Sequence, residues 1–122
     1  MWIENFTDNT YVMYTAVSRE PELQRELEII NEIIHGRDDC YVIISLAGIE
    51  MLTSSSMTYL LMLHDSLLQN GRMLILCKVG LPTKGIFRTA GLHKVFNFAA
   101  DMFAAQKMIQ DSSQPEAQKT TT

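Results

Sequence analysis

Residues 40–67 read CYVIISLAGIEMLTSSSMTYLLMLHDSL. The stretch opens as a near-continuous apolar run and breaks at four consecutive hydroxyl residues, Thr53, Ser54, Ser55 and Ser56. It then resumes as an apolar segment with helical spacing. A strand covered on both faces reads as such an unbroken run. A row of hydroxyls makes a poor helix interior, but Ser and Thr suit the start of a helix, where they satisfy unpaired amides. The pattern predicts a buried strand over Cys40–Gly48, a hydroxyl turn, and a helix from Ser55 to Gln69 ended by Asn70-Gly71. Met57, Leu60, Leu61, Leu67 and Leu68 form its expected buried face, with Leu63 at the flank.

Working outward, TYVMYTAVS from Thr10 is rich in β-branched and aromatic residues and predicts a strand. MWIENF before it, across Asp8-Asn9, reads as a hairpin partner. REPELQRELEIINEIIHG predicts an amphipathic helix. Pro21 suits its first turn, Leu23, Leu27, Ile30 and Ile34 recur at helical spacing with Ile33 alongside, and Gly36 ends it. Downstream, RMLILCKV is a second buried strand. LPTKGIFRTAGLHKVF holds a short helix with Pro82 in its first turn, Gly85 inside and Gly91 at its end, and HKVFNF is a last short strand. AADMFAAQKMIQ is a final helix with Met102, Phe103, Ala105, Met108 and Ile109 to bury. The polar, aperiodic SSQPEAQKTTT from Ser112 is expected to be disordered.

The order β-β-α-β-α-β-α-β-α implies one α/β domain over residues 1–111 and a polar tail over 112–122. The sheet should be mixed but mostly parallel, of four to five strands, with about four helices and a hairpin at its start.

With 122 residues, 47% of them hydrophobic and 20% charged, the chain has the composition of a globular domain rather than a disordered one. A net charge of -4 lends no support to general nucleic-acid binding. The basic residues Lys78, Lys84, Arg88, His93 and Lys94 form only a loose cluster. Cys40 and Cys77 lie in apolar runs and read as buried, reduced thiols in neighbouring strands. His35, His64 and His93 have no ligand spacing, so no metal is expected. The N-terminus is neither basic nor a long apolar run, and no segment approaches the roughly 18 apolar residues of a membrane span. A cytoplasmic protein without membrane insertion is expected.

Catalysis finds no support. His64 and Asp65 are adjacent on one helix and cannot converge on a serine as a triad requires. His64 falls on the apolar stripe and reads as a partly buried histidine with one hydrogen-bond partner. GLPTKG lacks the spacing of a phosphate loop and reads as a turn and helix start. Neither an enzyme nor a cofactor is expected. The methionines, among them Met51, Met62, Met73, Met102 and Met108, read as core filling. Met57, just behind the serines, is the exception and a candidate for docking.

The segment from Cys40 to Phe98 resembles a STAS domain, the fold of bacterial anti-sigma factor antagonists. Three features carry the likeness: the buried strand that leads into a serine turn and an apolar helix, the strand after Asn70-Gly71, and FRTAGLHKVF. The last is similar to a family segment that pairs a small residue with Gly-Leu and ends in an aliphatic residue and Phe before the final strand. The family turn usually reads Asp-Ser-[Ser/Thr]-Gly, and a kinase that is itself the anti-sigma factor phosphorylates its second hydroxyl residue. On that turn Thr53 stands at the aspartate, Ser54 at the first serine, Ser55 at the phosphorylated residue and Ser56 at the glycine.

The resemblance implies a regulatory module that binds an anti-sigma factor/serine kinase and is switched off by phosphorylation at Ser55, with Ser54 and Ser56 as alternates. Thr53, Ser54, Ser56 and Met57 are the implied partner contacts. It implies no direct contact with nucleic acid, and a homodimer is compatible with it. The alternative is a STAS subunit that is not switched, serving as an accessory to a lipid-transport ABC system or as a signalling scaffold.

Overall fold

A computed structural model of the chain describes residues 2–7, 9–15, 20–37, 39–49 and 51–112. The hairpin forms as expected: β1 (Trp2–Thr7) pairs antiparallel with β2 (Thr10–Tyr14), with an irregularity between Asn5 and Thr7. After α1 (Glu20–Ile34), the apolar run forms β3 (Tyr41–Ser45), parallel to β2 and buried at every position. The serine turn opens α2 (Ser54–Gln69), and β4 (Leu74–Cys77) returns parallel to β3. α3 (Leu81–Thr89), β5 (Asn97–Ala99) and α4 (Met102–Ser112) complete the domain. The five strands lie in the order β1-β2-β3-β4-β5, parallel except for β1.

Alternation along the strands sends two cores to opposite faces. Met13, Val42, Ile44, Leu74 and Leu76 face α1, α2 and α3, and pack with Leu27 and Ile30 of α1, Leu60 and Leu63 of α2, and Phe87 of α3. Val12, Ile43 and Ile75 face α4 and pack with Ala105 and Ile109. Each large aliphatic side chain buried this way contributes about 1.5–3 kcal/mol. Gly36, Gly71 and Gly91 follow α1, α2 and α3 at positive φ, the conformation that ends a helix and that side chains resist.

Four expectations are corrected. In α2 the buried stripe is Leu60, Leu63 and Leu67 together with His64, so Leu63 is central and Leu68 is 58% exposed. In α4, Asp101 caps the helix by accepting a 2.8 Å bond from the Ala104 amide. The resulting stripe, Met102, Ala105 and Ile109, leaves Phe103 77% exposed. Met51 and Met62 are exposed rather than core residues. α4 also takes in Ser112, which the sequence assigned to the tail; residues 113–122 lie outside the described residues, as do 16–18 of the expected first long strand and Arg19 of the helical segment after it.

Candidate functional site

The strands β2 to β5 all point their carboxyl ends at one edge of the sheet, and the serine turn lies there. β3 ends at Ser45, whose carbonyl accepts a 2.6 Å bond from the Thr15 hydroxyl at the end of β2. The connection to α2 is pinned by buried Leu46, Ile49 and Leu52. The Ile49 amide donates to the Leu46 carbonyl, and the Ile49 carbonyl accepts a 2.6 Å bond from the buried Thr83 hydroxyl of α3. The turn is therefore held from two sides before it reaches the hydroxyl residues.

Thr53 is the N-cap. Its backbone is extended, at φ -86° and ψ 167°, and its side chain accepts a 3.2 Å bond from the Ser56 amide. The Met57 amide donates to the Thr53 carbonyl and closes the first turn. Ser54 and Ser55 occupy the first two helical positions and are exposed, whereas Ser56 is fully buried and Met57 half-buried. Four similar residues thus fall into three different settings. Thr53 serves the backbone and Ser56 packs inward. Only Ser54 and Ser55 combine an exposed side chain with a place in the first turn of α2.

A helix start carries partial positive charge, so a dianion added there is accommodated by the fold. The Ser56 side chain is directed into the core and does not lie on the outer face of the turn.

The edge around the serines is apolar in places. Met51, just before the turn, is 71% exposed and Leu81, at the start of α3, is 82% exposed. Met57 lines an open groove of about 450 Å³ with Pro82, Gly85, Ile86, Thr89 and Ala90 of α3. Lys78, after β4, is the one described non-glycine residue at positive φ, 54°.

The other candidates fall into place. His64 is buried and packs edge-on against Phe96 at 5.5 Å between ring centres; its Nδ1 has no hydrogen-bond partner among the described residues. It is thus part of the core and does not converge with a serine. Cys40 and Cys77 are buried and free. Cys40 precedes the first residue of β3 and Cys77 ends β4, so they sit at opposite ends of neighbouring strands. Burial pushes both thiols up, against Arg37 at Cys40 and Lys78 at Cys77. Among the described residues no group of three His, Cys, Asp or Glu side chains could hold a metal, and no helix is long and apolar enough to cross a membrane.

Thr83 and Thr15 were not foreseen. A buried threonine that bonds a distant loop carbonyl has no local signature in sequence. The exposure of Met51 was equally hidden, because a lone methionine in an apolar run looks like core.

These features define an α/β domain whose accessible chemistry is a braced serine turn at the carboxyl edge of a mixed sheet. The chain belongs to the STAS domain family, whose model matches residues 14–105. Among solved structures it is similar to a variant of RsbS from Moorella thermoacetica, at 13% identity over 90% of this chain and 94% of that one, with a TM-score of 0.76. It is similar as well to an anti-sigma-factor antagonist (STAS) domain protein from Planctomyces limnophilus, at 14% identity over 93% and 97% of the two chains and a TM-score of 0.73. The anti-sigma factor antagonist SpoIIAA in its unphosphorylated form matches at 18% identity over 88% and 94%, with a TM-score of 0.71. No curated protein sequence matches the chain.

Proposed function

We propose that the chain is a bacterial anti-sigma factor antagonist. In this reading it docks the face around Thr53, Ser54 and Met57 on an anti-sigma factor that is also a serine kinase, and it is released when that kinase phosphorylates Ser55. The observation that carries the reading is the division of labour in the turn: Thr53 caps, Ser56 is buried, and Ser55 is left exposed at the start of α2. This chain supplies no catalysis. The phosphate acts on the docking face, because two close surfaces that fit each other reject a dianion of about -1.5 to -2 charges through repulsion and desolvation.

Mass spectrometry of the natively expressed protein tests the reading, together with binding of the kinase by wild type, Ser55→Ala and Ser55→Asp. Phosphate is expected on Ser55, with Ser54 the alternate and Ser56 unmodified. Ser55→Ala should bind as wild type and Ser55→Asp at least tenfold more weakly. Absence of phosphate from Thr53–Ser56 with equal binding by all three proteins would sink the switch and leave a STAS subunit with a constitutive structural role.

A further inference from the structure

Between Asp65 and Asp101 the chain has no aspartate or glutamate, although it has fourteen in all and a net charge of -4. The same interval holds Arg72, Lys78, Lys84, Arg88 and Lys94, and the last four are exposed. The acids concentrate elsewhere, with Glu20, Glu22, Glu26, Glu28 and Glu32 all on α1. In a mildly acidic chain, α3 and the segments on either side of it thus present basic side chains and no acidic ones of their own.

That surface borders the groove beside the serine turn. On α3, Pro82, Gly85, Ile86 and Thr89 recur at i, i+3, i+4 and i+7 and line the groove. Leu81, Lys84 and Arg88 form the next stripe round the helix, all exposed. Among the described residues neither Lys84 nor Arg88 has an ion-pair partner. Gly85 adds an independent observation. Glycine is the poorest helix former after proline, yet a Cβ at Gly85 would meet nothing within 4 Å. The packing of this chain does not require glycine there; the close approach of another backbone would.

We infer that the groove between α3 and the first turn of α2 receives an acidic amphipathic helix of a protein partner. Its apolar stripe would lie on Met57, Gly85 and Ile86, and its carboxylates would meet Lys84 and Arg88. α3 has nine residues and spans about 13 Å, which suits two to three turns of a partner helix. The groove follows one face of α3, which suits a rod laid along it, and α3 offers it no aromatic platform for stacking bases. This deepens the docking reading above and rests on it. Met57 is two residues from Ser55, so a phosphate on Ser55 would stand at the end of the groove and repel an acidic occupant.

The test uses the full chain, labelled for amide NMR, and three probes: a synthetic helical peptide with leucines at i, i+4 and i+7 and glutamates elsewhere, its lysine counterpart, and phosphatidylglycerol vesicles. The glutamate peptide is expected to shift the amides of Met57, Gly85, Ile86 and Thr89. The pair Lys84→Glu and Arg88→Glu should weaken it at least tenfold, as should Gly85→Leu, with the remaining spectrum unchanged. Equal binding of the lysine peptide, absence of groove shifts, vesicle binding that needs Lys84 and Arg88, or self-association through the same residues would each overturn the inference.

The two readings separate cleanly. Peptide binding that needs the groove but ignores Ser55→Asp keeps the groove and removes the switch. A phosphorylated Ser55 with kinase binding indifferent to Lys84 and Arg88 keeps the switch and removes the groove.

Discussion

The Thr83 hydroxyl donates a 2.6 Å hydrogen bond to the carbonyl of Ile49, and both groups are buried. The bond ties the start of α3 to the loop that carries the serine turn, 34 residues earlier in the chain. The two elements that border the groove are thereby held in one arrangement, so the turn is positioned by α3 as well as by its own cap. Thr83→Val keeps the side-chain shape but leaves the Ile49 carbonyl buried without this donor, a loss of about 1–3 kcal/mol. Urea unfolding should show a lower midpoint at unchanged slope, and faster amide exchange at Ile49 and Ser56 should localise the loosening.

The resemblance sets Thr53 at the position of an aspartate, and the cap geometry suits either residue. Asp and Thr are both good N-caps, and the bond needed is one oxygen accepting from the Ser56 amide. Thr53→Ala should cost about 0.5–2 kcal/mol. Thr53→Asp should match wild type or exceed it by about 0.3–1 kcal/mol, because its charge sits at the positive end of α2. Thermal melts of the three proteins decide the matter; an aspartate variant as unstable as the alanine one would refute the capping role.

The helices and strands were legible because their apolar spacing is local. The order of nine elements and the hairpin at the start follow from it, and so does the position of Ser55 on the turn. What the sequence left open is rotation. On α2 leucines occur at 60, 61, 63, 67 and 68, so a stripe can be drawn through 60, 61 and 68 or through 60, 63 and 67, and only the packing against β4 and α1 chooses. The packing chose Leu63, which is fully buried, over Leu68. Leu63→Ala should therefore cost about 2–5 kcal/mol. Leu68→Ala should stay within about 0.5 kcal/mol of wild type. Comparable losses from the two in denaturant titrations would contradict the observed rotation. The brace from Thr83 was invisible for a related reason: it joins segments that only the fold brings together.

Cys40 and Cys77 should behave as structural thiols. The thiolate is the reactive form, and burial pushes both groups above the ordinary thiol range. Alkylation by iodoacetamide near neutral pH is expected to be slow for both in the folded protein and fast in denaturant. Rapid modification of either thiol in the native state would mean that its segment opens to solvent.

His64 offers a prediction of the opposite sign, a buried-residue substitution that does not destabilise. It lies on the inner face of α2 at 8% exposure, with Nδ1 lacking a partner among the described residues and the ring edge-on to Phe96. An unsatisfied buried polar atom costs about 1–3 kcal/mol. An aromatic edge contact returns about 0.5–1.5 kcal/mol. His64→Leu removes both terms and fills a similar volume beside Leu60, Leu63 and Leu67. Stability should be unchanged or raised by up to about 2 kcal/mol, whereas large-to-small core changes such as Leu63→Ala lose several. Denaturant midpoints of the variant and wild type at one pH are the measurement. A loss above about 1 kcal/mol would show that the imidazole makes a polar contact that the fold depends on.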